Sequence, residues 1–337
     1  MAKKTTKRRY LKELDRLSPQ IRRAYLTWVS QRVGLANVGE VESLVASGNV
    51  EGIMKALDIT EASLGEFTES VRNAYKSGGT FEAPAAGITF NVRSVGAESW
   101  IGKNSGRLVR GITSSQQESI QVVLENGIRT GTNPRITALD IVGTKGVNKK
   151  RTGGIIGLSG AQSQWVTNAR RQLRSGDPAE MAAYLERARR DRRYDGAVRR
   201  AIREGRPLTV AETKKITERY ADRLLKLRGE TIARTESTAA FNAARDQAWQ
   251  QSVDEGKVSP DQIINTWSAT LDSRTRDAHA AMNGQRRKQG QPFNSPTGAM
   301  MLYPGDTSYG AGAEDVINCR CFLKKEIDFI AEAAAGF

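Results

Sequence analysis

The sequence predicts an α+β protein that is predominantly α-helical, with helical N-terminal and middle regions and a small α+β module at the C-terminus. Three observations lead there. Apolar residues recur at steps of three and four along most of the chain. Ser, Thr, Asp and Asn stand repeatedly where such runs begin. Turn signals and short alternating runs crowd the last third. At 337 residues the chain exceeds one comfortable core. Its punctuation suggests a helical region over 1–80, a connector with a short strand over 81–110, a basic helical region over 111–229, a C-terminal module over 230–326 and a tail over 327–337.

The first helix is expected to start at Ser18-Pro19, an N-cap followed by proline at the first helical position. Ile21, Tyr25, Trp28 and Val33 form its apolar face, and Gly34 ends it. Shorter helices follow around 41–46, 50–57 and 62–75. The stretch KSGGTFEAPAAG reads as a break, and ITFNVRSV alternates like a strand. A capping-box pattern at SQQE starts a helix at Ser115 that stops at Gly127, and Asn133-Pro134 opens one that ends at Gly143.

GTKGVNKKRTGGIIG then reads as a basic, mobile connector, because it lacks both the G-x-x-x-x-G-K-[ST] and the G-x-G-x-x-G spacing of a nucleotide cradle. Ser159 with Gln162, Asp177-Pro178 with Glu180, and Thr209 with Glu212 begin three more helices. The longest helical signal runs from Glu212 to Val253 through Ile216, Tyr220, Leu224, Ala239, Ala243 and Trp249, with Gly229 as a candidate break. Asp272 or Ser273 caps a further helix that aligns Asp272, Arg276 and His279 on one side. Asn283-Gly284 and YPGD (303–306) are tight turns, and a strand is expected around 316–323.

Lys and Arg number 52 against 37 Asp and Glu, a net charge of +15 that points to a polyanionic or acidic partner. Residues 141–176 hold seven basic side chains and no acid, and 186–206 hold nine arginines against four acids. Lys149, Lys150, Arg151, Arg189, Arg190, Arg192 and Arg193 are the candidate nucleic-acid contacts; a solvated helix face is the plainer reading of the same charges. No apolar run reaches the roughly 18 residues of a membrane span, and no export signal follows the basic start, so a soluble protein without membrane contact is expected. Its two cysteines, one residue apart, suit a reducing compartment.

One ordered series is specific. IARTESTAAFNAA (232–244), a tryptophan (Trp267), D-x-R-T-R-x-x-H (272–279), NGQ (283–285), YPGD and finally INCRC (317–321) follow one another. Over roughly residues 230–325 this series resembles the Mu F-like family of phage minor head proteins, the head morphogenesis family. The positions that carry the resemblance are Arg234, Glu236, Asn242, Trp267, Asp272, Arg276, His279, Gly284, Pro304, Gly305, Asp306, Asn318, Cys319, Arg320 and Cys321. Val316 and Ile317 stand where members often carry a histidine, so a two-histidine metal site is not carried over.

The resemblance implies a minor structural protein of a tailed phage head, acting in morphogenesis inside the head near the portal. Its partners would be portal, capsid or scaffold proteins and, without sequence specificity, packaged double-stranded DNA. It would be made in the host cytoplasm and end in the virion. The alternatives are a DNA-binding accessory protein delivered with the genome and a cryptic phosphodiesterase.

The second alternative rests on His279, the sole histidine, as acid or base, with Asp272 to orient it and Arg274 or Arg276 to hold a phosphate. The plainer reading has Asp272 as a cap, the arginines paired and His279 in a buried polar network, and no enzyme is expected. With sixteen residues after Cys321, no effector domain is expected to follow the module. Zinc is the rival for Cys319, Cys321 and His279, with Asp306 or Asp272 to complete four ligands. The preferred expectation is no cofactor: two thiols packed on an inward strand face, with Asn318 and Arg320 among the surrounding polar contacts.

Overall fold

The computed structural model describes residues 2–146 and 148–328; residues 329–337, most of the expected tail, lie outside the described residues. The chain is α+β and mostly helical, as expected. In order the helices are α1 (Ala2–Leu35), α2 (Val38–Ala46), α3 (Val50–Ala56), α4 (Gly65–Ala86), α5 (Val95–Arg129), α6 (Pro134–Val142), α7 (Gly160–Arg174), α8 (Pro178–Leu185), α9 (Asp195–Arg203), α10 (Val210–Asp254), α11 (Asp277–Ala281) and α12 (Ala313–Val316). The strands are β1 (Thr144–Lys145), β2 (Arg151–Thr152), β3 (Ile263–Ser268), β4 (Arg286–Lys288), β5 (Phe293–Asn294), β6 (Met300–Met301) and β7 (Phe322–Ile327).

Two compact units interleave along the sequence. Among the described residues, one takes those up to Arg23, Phe67–Gly106 and those from Glu230 to Asp328; the other takes Ala24–Glu66 and Arg107–Gly229.

Caps that depend on neighbouring residues form as read. Asn133 accepts from the Arg135 amide, Asp177 from the Glu180 amide, and Ser159 and Gln162 cap each other's backbone. Thr209 and Glu212 do the same at the start of α10. These oxygens satisfy amides that the first helical turn leaves orphaned.

Helix ends inferred from glycine and proline differ from expectation, because tertiary packing outweighs the local signal. α1 runs straight through Ser18-Pro19, and the Ser18 hydroxyl bonds Ser237 at 2.7 Å instead of capping. An internal proline costs about 3 kcal/mol. Burying Tyr10, Leu17 and Ile21 on the same face contributes about 1.5–3 kcal/mol per side chain and outweighs it. α4 continues through KSGGTFEAPAA: a Cβ on Gly78 would lie 2.3 Å from the Phe241 carbonyl oxygen and one on Gly79 2.2 Å from the Phe90 ring. These glycines permit close approach; they do not break the helix.

ITFNVRSV is not a strand. The Gln251 side chain engages the Asn91 amide at 2.9 Å and its carbonyl at 2.8 Å, so that backbone pairs with a helix. The expected connector over 81–110 is therefore the end of α4, a short turn and the start of α5. Ser115 and Gly127 lie within α5, where Gln116 bonds the Gly157 amide and the Leu158 carbonyl. Those bonds, with Ile155, Ile156 and Leu158 buried, replace the expected mobile connector by a β1–β2 hairpin and an anchored return. Gly229 leaves α10 unbroken over 45 residues: Leu224 and Ala233 are buried on either side of it, and one internal glycine costs only about 1 kcal/mol.

In the first unit β3 pairs antiparallel with β4 and β7, in the order β4-β3-β7. Ile263, Asn265 and Trp267 point inward by the two-residue period of a strand. β3 went unread in the sequence because buried Asn265, bonded to Gln289, interrupts its apolar alternation.

Candidate functional site

The polar residues of IARTESTAAFNAAR repeat at helical steps on α10, so Thr235, Thr238, Asn242 and Arg245 share one face. Each ties a distant loop. Thr235 accepts from the Asn318 amide at 3.0 Å, and Thr238 donates to the Cys319 carbonyl at 3.4 Å. Asn242 donates to the Pro304 carbonyl and the Tyr10 hydroxyl, both at 3.1 Å, and Tyr10 donates on to the Cys321 carbonyl.

Arg245 is buried. It reaches Glu82 at 2.6 Å and the Leu323 carbonyl at 2.9 Å, and its guanidinium lies over the Phe322 ring at 4.7 Å. Trp249 donates to the other Glu82 oxygen at 2.9 Å. Burial alone would raise the Glu82 pKa; Arg245 and Trp249 hold the carboxyl below its ordinary value instead. Glu82 and Arg245 were not among the sequence candidates.

YPGD is the expected turn. Asp306 accepts from the Leu302 and Ser308 amides at 2.8 Å each, and a Cβ on Gly305 would meet Ala239 of α10 at 3.0 Å. Gly284, at φ 86°, carries the turn in which its amide bonds the Trp267 carbonyl at 2.8 Å. Glu236 is buried, and Arg234 is exposed beside a groove also lined by Arg22, Arg274 and Arg320.

The expected face of Asp272, Arg276 and His279 does not form. Asp272 lies in a turn before α11, accepting from the Arg274 amide at 2.9 Å, and its carboxylate grips Arg320. That pairing holds the Asp272 carboxyl below the ordinary range. The helix starts only at Asp277 because Asp272 spends its acceptor on this turn. Arg276 donates to the Ile317 carbonyl. His279 turns inward, only 2% exposed, at the edge of a small cleft that it shares with Arg274 and Arg276, while Asp272 pairs with Arg320 and does not orient it.

What His279 does meet is the cysteine pair. β7 starts at Phe322, later than expected, because α12 and a left-handed Asn318 (φ 54°) occupy the preceding residues. The extended 319–321 segment still sends both cysteines to one side. Both are 2% exposed free thiols, with Cys321 Sγ 3.4 Å and Cys319 Sγ 3.6 Å from His279 Nδ1. On the far edge of the ring, Nε2 lies 3.6 Å from Asp315 Oδ1, and Asp315 is fully buried. Ser295 and Thr297 donate to its two oxygens at 3.0 and 2.8 Å. Trp267 meets the imidazole edge-on at 5.9 Å.

The two thiols titrate as a pair. The contact with Cys319, and then His279, brings the Cys321 thiol below its ordinary range against the effect of burial, whereas Cys321 and burial push Cys319 up. Asp315, Ser295 and Thr297 were missed in the sequence, which offers no local signal for them.

The basic candidates lie in the other unit and are unequal. Lys149 and Lys150, at the hairpin, and Arg189 and Arg192 are exposed. Arg151 is half-buried and donates to the carbonyls of Gly143 and Ala36. Arg190 is half-buried and paired with Asp195 at 3.0 Å, whereas Arg193 is exposed and pairs with Asp191 at 2.6 Å.

Residues 193–324 match the family model of the phage Mu protein F like proteins. The match begins upstream of the residue-230 start expected from the motifs and takes in α9 and the first part of α10. No curated protein and no solved structure matches the chain.

Proposed function

We propose that the chain is a minor structural protein of a tailed-phage head, acting in head morphogenesis, on the match of residues 193–324 to the phage Mu protein F like family. On this reading it is present in few copies near the portal, inside the head, with portal, capsid or scaffold proteins and packaged DNA as neighbours. The observation that carries the reading is the family match. It is supported by what the matched motif residues do: Thr235, Thr238 and Asn242 hold the loops that end in Pro304, Asn318 and Cys319, which is architectural work.

Contact with DNA is proposed through phosphates. Exposed Lys149, Lys150, Arg189 and Arg192 support it, together with Arg200 and Arg203 on α9. Arginine-rich surfaces without an aromatic stacking platform read charge and not base sequence. The assignment to the portal vertex is tested by cross-linking mass spectrometry on purified proheads. Cross-links from this chain to the portal protein are expected; cross-links confined to coat protein across the shell would overturn the placement.

A further inference from the structure

We propose that His279 Nδ1, Cys319 Sγ and Cys321 Sγ together bind one zinc-type divalent cation, with Asp315 as the carboxylate that orients the histidine. The three donor atoms lie within 4.8 Å of one another, and all three residues are buried. A tetrahedral zinc, with bonds of about 2.3 Å to sulfur and about 2.0–2.1 Å to nitrogen, sets its sulfur and nitrogen ligands about 3.5 Å apart. The two sulfurs lie 3.4 and 3.6 Å from Nδ1.

Two sulfurs at nearly equal distance from one ring nitrogen fit a shared cation, since a single N–H or lone pair serves only one of them. Neutral imidazole has one N–H and one lone pair. If Nδ1 carries the proton, it can donate to one sulfur, and the bare Nε2 lone pair then faces the Asp315 carboxylate. If Nε2 carries it, the single Nδ1 lone pair faces two thiols and can accept from only one. Nε2 is a buried nitrogen without a hydrogen-bond partner. A cation bound to Nδ1 and both thiolates engages both sulfurs at once, and it keeps Nε2–H toward Asp315 as in the second tautomer. A carboxylate behind a metal-bound histidine is the usual outer contact of such sites, and the bonds from Ser295 and Thr297 fix this one.

An imidazolium–thiolate pair backed by Asp315 would also satisfy the ring. In that form Nδ1–H meets one sulfur and the Cys319 thiol donates to the Cys321 thiolate, whereas a cation engages both of the sulfurs that lie near Nδ1. Two thiolates and a dication cancel, leaving the buried Asp315 carboxylate as the net charge of the site, the same balance as in the imidazolium–thiolate form; the metal form differs in engaging all three donors at once. A small cleft that His279 and Cys321 share with Arg274, Arg276 and Arg320 borders two of the three donors, and the proposal places a water there as the fourth ligand.

The test is elemental analysis of the full chain purified without chelator, followed by cobalt titration of the chelated protein. About one zinc per chain is expected, and cobalt should give the absorption of a tetrahedral thiolate site. Both signals should be lost in the double variant Cys319→Ser with Cys321→Ser. Asp315→Asn should keep the stoichiometry at saturation and weaken affinity about 10–100-fold. If the double variant fails to fold, the cobalt spectrum of the unmodified chain still decides. Metal-free protein that takes up neither ion would overturn the proposal. So would a metal-free chain whose Cys321 is alkylated at neutral pH, the signature of the imidazolium–thiolate pair.

Discussion

Arg245 lies 2.6 Å from Glu82, a partner 163 residues away, with both side chains shut off from solvent. The pair joins α4 to α10 inside one unit, and the Arg245 bond to the Leu323 carbonyl extends it to β7, the strand that follows the cysteines. Removing one partner of a buried ion pair strands the other charge, which costs far more than the pair contributes.

Arg245→Ala should therefore destabilise this unit by about 3–5 kcal/mol. Adding Glu82→Gln to an Arg245→Met background should recover much of the loss, because no charge is then left unpaired. Hydrogen exchange at the β3 and β7 amides reads the effect. Independent, additive losses in the two single variants would show that the pair is not coupled.

The same pair sets an acid limit. The folded-state pKa of Glu82 lies below its ordinary value of 4.5. Its contribution is therefore fully present above that value and is lost as pH falls through the folded pKa. Urea midpoints should drop between about pH 6 and about pH 3, and Glu82→Gln should flatten that drop. An unchanged slope in the variant would assign acid lability to other carboxylates.

Glycines within helices should divide by what a Cβ would meet. Gly78→Ala gains about 1 kcal/mol of helix propensity but places a methyl group 2.3 Å from the Phe241 carbonyl oxygen, so a net loss of about 1–3 kcal/mol is expected. Gly111→Ala, in α5 with nothing within 4 Å of the new Cβ, should be neutral or stabilising. Equal effects at the two positions, read by thermal denaturation, would mean that the close approach does not constrain α4.

These positions show how far the sequence was legible. Caps at Asn133, Ser159, Asp177 and Thr209 were readable because donor and acceptor lie within three residues. Gly78, Gly79, Pro19 and Pro84 misled because their cost is local, whereas the burial that overrides it comes from residues far along the chain. The site divides in the same way. His279, Cys319 and Cys321 stood out by chemistry and spacing. Asp315, 36 residues beyond His279, has no local pattern, and Asp272 misled because a helical projection was carried into a turn.

DNA binding should be steeply salt-dependent and indifferent to sequence. Replacing Lys149, Lys150, Arg189 and Arg192 with Gln should weaken it and flatten the salt slope. Arg190→Gln should act on stability instead, since it breaks the contact with Asp195. Fluorescence anisotropy across a salt series separates the two. Binding unchanged between about 0.05 and 0.2 M salt would exclude phosphate contacts as its source.

Membership of the phage head is measured most directly by quantitative mass spectrometry of proheads and virions purified from an infected or induced culture. The chain should appear in both fractions, at few copies relative to coat protein. Its confinement to the particle-free lysate at every stage of assembly would contradict a structural role in the head.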